Sequence, residues 1–344
     1  MLSPDFIYSL TLSEKVYFGK DYVHLYFEKP NGSTYQAGQF ITLFLPDQEE
    51  IRRSYSLSSQ PEEAYWRITV KRTPNGYFSR LLFDLPLGAK LMAQVPRGQF
   101  VLPDLLPSSL CFIAAGSGIS PVFPLVQKAL AHKETEVALL YSFTTQSKAV
   151  FLEELKALKQ QYGQRFSLFL FPSQPSDGSL PLRLSNLRLE NLLLTEWNIR
   201  SKAQALFYLC GPLDFMRMVQ MTLRFLGVEK EAIIKEQFTF PEVQVQRAPL
   251  QLNAKVTMEK TNGEKQEWSV TPNQSIWEAA KNQGIFIPYN CRAGVCAACS
   301  MRCVKGKVWH SANEVLTDKE LAAGWILTCT AVPQSKEIYL KVKG

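Results

Sequence analysis

Three cysteines within one nine-residue stretch constrain this chain more than any other feature. Cys291, Cys296 and Cys299 are spaced C-x4-C-x2-C, and Cys329 follows 29 residues later. Four thiolates so placed hold a 2Fe-2S cluster: a tight loop aims three sulfurs at a small inorganic core and a distant segment supplies the fourth. Ala293, Gly294, Ala297 and Ala298 leave room for that core and free backbone N–H groups toward it. Two alternatives compete. Free cysteines often serve as small core residues, and zinc also takes four thiolates, although zinc sites usually pair two C-x2-C knuckles. Cys303 lies four residues past Cys299, outside the spacing, and is expected to be a neighbour rather than a ligand.

The run Pro288-Tyr289-Asn290-Cys291 through Cys299, with Gly306-Lys307-Val308 beyond it, resembles a plant-type ferredoxin domain. That resemblance implies an α+β, β-grasp-like fold over the last hundred or so residues and a role in carrying single electrons. The rest of the chain must then supply them.

A chain of 344 residues suggests two or three domains, each with its own core. Its 46% hydrophobic and 20% charged residues are an ordinary globular balance. No apolar run reaches the length of a membrane span, and Met1–Phe6 lacks the basic and apolar regions of a secretory signal. Seven cysteines, four of them assigned to a cluster, leave Cys111, Cys210 and Cys303 as free thiols. This fits a reducing cytoplasm better than a disulfide framework. The net charge of +7 is spread along the chain without a basic block. It suits phosphate-bearing cofactors or an acidic protein partner, and argues against nucleic acid.

Residues 5–102 read as short strands broken by turns, the pattern of an antiparallel barrel. Within them stands Arg53-Ser54-Tyr55-Ser56. An arginine pairs with phosphate bidentately, a tyrosine two residues on shares its strand face and can stack on a ring system, and Ser56 can offer a hydroxyl to a ring nitrogen. An edge strand with a surface arginine is the plainer reading of that tetrad alone. Gly76-Tyr77-Phe78-Ser79 then opens a helix running to Phe83, and a helix N-terminus is suited to a pyrophosphate. With Ala37-Gly38-Gln39-Phe40 upstream and Arg97-Gly98-Gln99-Phe100 downstream, these segments resemble the flavin domain of the ferredoxin–NADP reductase family. The resemblance implies that Arg53, Ser54, Tyr55 and Ser56 hold the isoalloxazine and a nearby phosphate. Val70, Lys71 and Arg72 would lie along the flavin, and Gly76, Tyr77, Phe78 and Ser79 would cap its pyrophosphate. FAD is preferred over FMN.

From Leu110 strands alternate with helices, which implies a parallel sheet. The strand Leu110–Ala115 runs into Gly116-Ser117-Gly118-Ile119-Ser120-Pro121, two glycines of a G-x-G-x-x-G pattern with Pro121 in the third place. The glycines permit a tight turn and close approach to phosphate, and a proline is tolerated in a helix's first turn. Helices are expected at Val122–Leu130, Ala149–Tyr162 and Met216–Leu226. Strands are expected at Val137–Phe143, Phe166–Phe171 and Leu206–Pro212. Cys210-Gly211-Pro212 resembles the family's C-G-P motif, which implies a place beside the nicotinamide and the flavin. The segment Lys235-Glu236-Gln237-Phe238 resembles the family's last strand, which implies Glu236 near the reacting centre and Phe238 near the flavin. Catalytic roles thereby fall to Ser56, Cys210 and Glu236. After the second strand, Thr144–Lys148 holds no acid to read a ribose 2′-hydroxyl, and no arginine adjoins Ser173-Gln174, so NADH and NADPH both stay open. His24, His132 and His310 fall outside every motif and are read as structural.

Phe240–Pro249 is polar and proline-bounded, a linker. A hairpin around Asn262-Gly263 and a helix capped by Ser275 precede the cysteine loop. The domain boundaries are set at 1–105 for a FAD-binding β-barrel, 106–240 for an NAD(P)-binding α/β domain, 241–249 for the linker and 250–344 for a 2Fe-2S ferredoxin domain. That order resembles the three-domain reductases that serve bacterial oxygenases. It implies electron transfer from NAD(P)H through FAD and the cluster to a partner protein, with an oxygenase as first choice and a desaturase or another redox enzyme as second. A non-catalytic redox sensor is the alternative from another class, and a sensor would not need a flavin cradle paired with C-G-P.

Overall fold

The computed structural model describes residues 7–46, 48–73, 77–175, 178, 180–202, 204–238, 248–250, 252–289, 292, 294, 297–313 and 315–342, with the backbone alone for 48–51. The chain divides into two compact units, Ile7–Thr239 and Phe240–Gly344. Most of the expected linker, residues 241–247, lies outside the described residues. No described helix is long and apolar enough to cross a membrane.

The first unit opens with β1 (Ile7–Phe18), β2 (Tyr22–Glu28), β3 (Phe40–Leu45), β4 (Gln48–Ser56), β5 (Tyr65–Lys71) and β6 (Lys90–Gln94). They pair antiparallel in the order β4-β3-β6-β1-β2-β5. The two outer strands meet where Leu57 bridges Ile68 and the Ser58 N–H donates to the Arg67 carbonyl at 2.7 Å, so the sheet curls into a barrel. Alternating apolar residues fill it: Leu10, Leu12, Val23, Leu25, Phe27, Ile41, Leu43, Ile68 and Val70. Trp66 is fully enclosed between Tyr8 and Tyr35. The helix α1 (Tyr77–Asp84) joins the same core through Phe78, Leu82 and Phe83.

A parallel sheet follows: β7 (Ser109–Ala115), β8 (Glu136–Phe143), β9 (Phe166–Pro172), β10 (Leu206–Cys210) and β11 (Ile233–Glu236), ordered β11-β10-β7-β8-β9. Both faces are covered, which is why β7 is buried along its whole length. Leu110, Phe112 and Ala114 pack with α2 (Ile119–Ala131) and α3 (Leu152–Tyr162). Cys111 and Ile113 pack with α4 (Asn186–Asn191) and α5 (Leu213–Phe225). The sheet grows from β7 first to one side and then to the other, so the carboxyl ends of β7 and β10 flank the point where the order reverses. Open α/β sheets bind ligands there.

Three expected helix starts shift. α5 begins at Leu213 rather than Met216, directly after Pro212, whose fixed φ suits the residue before a helix. α3 begins at Leu152 rather than Ala149, because Phe151 is left-handed (φ 64°) and carries its ring into the core. α2 begins at Ile119, three residues early, since Pro121 in the first turn forfeits only an N–H that has no helical partner.

Phe151 also ties barrel to sheet. Its ring stacks on Phe123 of α2 (4.3 Å, 5°) and on His24 of β2 (4.8 Å, 20°). The Arg67 guanidinium of β5 lies 5.0 Å from the Phe151 ring and 5.6 Å from Phe123, and donates to the Ser58 carbonyl at 2.6 Å. Tyr22 and Phe100 join the core formed with α2, and the Tyr208 hydroxyl donates to the Val101 carbonyl at 2.9 Å.

The second unit contains β12 (Ala254–Glu259), β13 (Lys265–Val270), β14 (Ser300–Lys305), β15 (Val308–His310), β16 (Trp325–Leu327), β17 (Ala331–Pro333) and β18 (Glu337–Lys341). A mixed sheet runs β13-β12-β18-β14-β16, and β15 pairs with β17 alone. The Asn262-Gly263 hairpin forms as expected, with Gly263 at φ 82°. α6 (Ile276–Asn282) buries Ile276, Ala279 and Ala280 on the sheet, and its Ser275 cap accepts from the Glu278 N–H. The short α7 (Asp318–Ala322) carries a capping box from Thr317 to Glu320.

Candidate functional site

In the barrel, β4 presents Arg53, Ser54, Tyr55 and Ser56 opposite Leu43, Thr42, Ile41 and Phe40 of β3. Strand alternation puts Arg53 and Tyr55 on one face. Arg53 is exposed, and among the described residues its guanidinium donates to the Arg52 carbonyl at 2.7 Å, leaving further N–H groups for a phosphate. Tyr55 is half-buried and stacks on Phe78 in the first turn of α1 (6.4 Å, 24°). Burial raises its phenol pKa, and Arg53 partly offsets the rise. On the other face Ser54 shares a 2.7 Å hydrogen bond with Thr42, and Ser56 is buried. Val70 is buried in the wall, whereas Lys71 and Arg72 are exposed at the end of β5. The Arg72 guanidinium lies 5.6 Å from the Phe83 ring. Ser79 accepts from the Thr73 N–H at 3.1 Å, fixing the entry to α1, while Tyr77 stays half-exposed. Gly76 lies outside the described residues. The R-x-Y-S strand and the first turn of α1 therefore meet through an aromatic pair, ringed by exposed cations. That donor set fits a flavin bearing phosphates.

At the switch point, Gly116-Ser117-Gly118 forms a single 3-10 turn between β7 and α2. Gly116 needs glycine's freedom, with φ at 55°. Gly118 needs glycine for another reason. Its φ of −62° would suit any residue, but a Cβ there would come within 2.8 Å of the Gly211 nitrogen and closer still to the Cys210 carbonyl. The G-S-G turn and the C-G-P segment are thus packed backbone to backbone. Ser120 and Pro121 are buried in the first turn of α2, and the Ser120 hydroxyl has no hydrogen-bond partner among the described residues.

Cys210 ends β10, paired with Ala114 on one side and Glu236 of β11 on the other. Burial raises its thiol pKa well above the ordinary value, and the Glu236 charge raises it further. A protonated thiol is a poor nucleophile, so Cys210 presents a neutral surface. Gly211 and Pro212 lead into α5, Glu236 is buried, and Phe238 is exposed beyond β11. Tyr22, which no sequence motif marks, also borders this turn: a Cβ on Gly116 would sit 4.0 Å from its hydroxyl, and burial followed by Asp21 pushes that phenol up to about 12.

In the second unit the sulfurs of Cys299 and Cys329 lie 3.2 Å apart, both buried. Thr328 fixes this approach: its hydroxyl and its N–H both donate to the Cys299 carbonyl, at 2.9 and 3.3 Å. Arg292, Gly294 and Ala297 are all left-handed, at φ 55°, 75° and 54°, in keeping with a loop wound tightly to aim its side chains. A Cβ on Gly294 would strike the Ala312 backbone. Cys291 and Cys296 lie outside the described residues, and among the described residues no group of three or more metal-binding side chains occurs. Two converging buried thiols suit soft-metal ligation and fit an iron–sulfur group. Cys303, on β14, turns its sulfur to the Lys305 carbonyl at 3.3 Å, and burial raises its thiol pKa.

Two histidines serve packing, and the exposed His132 closes α2 through its backbone. His24 is enclosed, with Thr69 against Nδ1 at 2.9 Å. His310 accepts the Leu327 N–H on Nε2 at 3.1 Å.

Comparison with known proteins agrees with this geometry segment by segment. Residues 9–102 match the oxidoreductase FAD-binding domain family, 112–221 the oxidoreductase NAD-binding domain family, and 259–334 the 2Fe-2S iron-sulfur cluster binding domain family. The chain is 31% identical over 344 residues to a component of the 1,2-phenylacetyl-CoA epoxidase of Escherichia coli, across 96% of each protein. The chain belongs to this family of flavin, nicotinamide and iron–sulfur reductases. It is an oxidoreductase with FAD-binding, NAD-binding and 2Fe-2S domains, in that order. A second relative of this reductase is the ferredoxin reductase component of 3-ketosteroid-9-alpha-monooxygenase from Rhodococcus rhodochrous, 28% identical across 89% of this chain and 88% of that one. Among solved structures, phthalate dioxygenase reductase shares the fold over 98% of both chains, with a TM-score of 0.58 at 22% identity. An intact type IV self-sufficient cytochrome P450 monooxygenase gives a TM-score of 0.73 at 20% identity, over 98% of this chain but only 41% of that longer one.

Proposed function

We propose that this reductase draws electrons from NAD(P)H and delivers them, through FAD and a 2Fe-2S cluster, to an oxygenase component. The observation that carries the reading is the backbone contact between Gly118 and Cys210–Gly211, which builds a nucleotide crevice in the same compact unit as the flavin barrel. The oxygenase as acceptor is supported by relatives that are named as parts of an epoxidase and of a monooxygenase. The free thiols of Cys111, Cys210 and Cys303 support a cytoplasmic setting. Functional boundaries are placed at 1–105, 106–240 and 250–344, with 241–249 as linker.

When bound, nicotinamide and flavin supply hydride chemistry, and the cluster supplies single-electron transfer. The chain's residues do the rest. Arg53 neutralises a flavin phosphate, Tyr55 offers its face to the ring system, and Ser54 and Ser56 hold the strand that presents them. Val70 walls the ring, Lys71 and Arg72 hold its anionic side, and Gly76, Tyr77, Phe78 and Ser79 offer the helix start to the pyrophosphate. Gly116, Ser117, Gly118, Ser120 and Pro121 receive the nucleotide phosphates. Cys210, kept protonated, lies with Gly211 and Pro212 beside the nicotinamide. Glu236 sets the charge behind that thiol, and Phe238 borders the flavin. Cys291, Cys296, Cys299 and Cys329 hold the cluster.

The test is anaerobic titration of the purified protein with NADH and with NADPH, followed by visible absorbance and iron analysis. Flavin and iron–sulfur bands that bleach together, with iron and no zinc, are expected. Nucleotide binding without bleaching would identify a sensor and refute the reductase reading.

A further inference from the structure

The second unit is cationic, with 12 Lys and Arg against 8 Asp and Glu over residues 250–344. Four of its cations are held in ion pairs. On the sheet, Lys255, Lys260 and Lys305 are paired with Glu267, Glu264 and Glu337 at 2.7, 2.9 and 2.7 Å, and Lys341 with Glu259 at 3.5 Å. Hydrogen bonds from the lysines hold the carboxyls of Glu264, Glu267 and Glu337 below their usual range, so those acids are committed locally. Lys265, Arg302, Lys307, Lys319 and Lys336 make no ion pair among the described residues, and the two cations beside the cysteine loop share that state. Lys281 and Arg292 are both exposed, and among the described residues neither has a carboxylate within ion-pair distance.

Both charges are nevertheless held in place. Lys281 lies 5.7 Å from the Trp277 ring, one helical turn earlier on α6, and Arg292 lies 5.8 Å from the same ring and 5.9 Å from Tyr289. Trp277 and Tyr289 contact each other at 4.5 Å. Aromatic faces attract cations without neutralising them, so the rings fix position and leave the charge available. The patch is also joined to the cysteines at two points. The Trp277 N–H donates to the carbonyl of Thr328, which precedes Cys329, and Arg292 directly follows Cys291.

We infer that Lys281 and Arg292, seated on Trp277 and Tyr289, form the docking face through which this reductase meets an acidic surface on its electron acceptor. The inference rests on the proposed reductase function and adds the chemistry of the partner. Charge complementarity favours a separate protein over the chain's own flavin barrel, whose rim carries the exposed cations Arg53, Lys71 and Arg72. Fixed surface charge facing a complementary partner steers encounter and raises on-rates by roughly 10–1,000-fold at low ionic strength, while salt screens it over a Debye length of about 10 Å at 0.1 M. The exposed Glu278, one helical turn from Lys281, offsets part of the patch's charge.

The full-length holoprotein is tested with two probes that share one haem: cytochrome c, which is basic, and succinylated cytochrome c, which is acidic. At low salt the succinylated form is expected to show kcat/KM about tenfold higher or more, a preference that collapses by about 0.5 M salt, where screening is nearly complete. The K281E/R292E double variant should reverse the preference, and K281Q/R292Q should abolish it, with anaerobic bleaching by NAD(P)H unchanged in both. A native preference for the basic form, or a preference indifferent to salt or to both variants, would overturn the inference. Slower bleaching of the cluster in the variants with an unaltered probe ratio would assign the patch to the chain's own flavin half and overturn it equally. A native protein that does not bleach at all would refute the reductase reading beneath it.

Discussion

Replacing Gly118 with alanine tests the nucleotide crevice at its tightest point. Because φ at Gly118 is −62°, alanine carries no backbone penalty, and any effect must come from its added methyl. That methyl would stand 2.8 Å from the Gly211 nitrogen and nearer still to the Cys210 carbonyl. Carbon atoms pack at about 3.5–4.0 Å, so one of the two backbones must retreat by roughly 1 Å. Neither is a flexible side chain: Cys210 is held by ladders to β7 and β11, and Gly118 by the first turn of α2. Overpacking of this kind costs about 1–3 kcal/mol. The cost to chemistry is expected to exceed the cost to folding, since a 1 Å misplacement of reactants lowers rates by about 10²-fold. Stopped-flow bleaching of the flavin by NAD(P)H should therefore slow by about two orders of magnitude in Gly118→Ala, while the protein remains yellow and folded. A variant that bleaches at the native rate with native nucleotide affinity would mean that the G-S-G turn and the C-G-P segment do not jointly shape the nicotinamide site.

Two further outcomes follow from buried side chains. Burial, and then the charge of Arg67, depress the His24 pKa from 6.5 to about 3, so between those values the unfolded chain binds a proton that the folded chain refuses. Stability should fall as pH drops from 6.5 toward 3, by at most about 1.4 kcal/mol per unit from this group; thermal melts of the native protein and His24→Gln at pH 7.5 and 5 should differ in slope, and parallel slopes would remove His24 as the cause. Cys329→Ser should lose the iron–sulfur absorbance while keeping the flavin bands, whereas Cys303→Ser should keep both; a folded Cys303→Ser protein without iron would require a different ligand set. A chain ended after Thr239 should bind FAD and reduce ferricyanide with NAD(P)H yet fail with cytochrome c, and full activity toward cytochrome c would place the electron exit outside the cluster.

Local patterns in the chain reveal the fold well and the site unevenly. The strands of the barrel and of the parallel sheet are legible because apolar residues alternate or run continuously between turn residues. The cysteine spacing is legible because four ligands must meet one small group, and Cys299 and Cys329 do meet. The start of α3 is illegible, since nothing in Ala149-Val150-Phe151 announces a left-handed phenylalanine; its conformation is imposed by stacking on Phe123 and His24, far away in sequence. Arg67 reads as an ordinary strand residue until the fold brings three aromatic rings to its guanidinium. The second glycine of G-S-G is legible as a motif but not in its reason, which is the approach of a strand end 92 residues later in the chain.

The same contrast explains why the sequence shows three segments while contacts divide the chain into two units. Hydride transfer depends steeply on the placement of donor and acceptor, and the barrel and parallel sheet share a core with Tyr22, Phe100 and Tyr208 packed between them. The Arg67–Phe151–Phe123 stack adds cation–π and aromatic contacts, each worth about 0.5–2 kcal/mol, across the seam that sets that placement. Substitutions there should act on the rate of flavin bleaching more than on nucleotide affinity, because they loosen the geometry between two intact binding surfaces. At the cysteine loop the fixed feature is different: cations without carboxylate partners among the described residues, held ready on aromatic rings, beside thiols whose own approach is set by Thr328. The first unit is built to hold two reactants still, and the second to present charge outward to another protein.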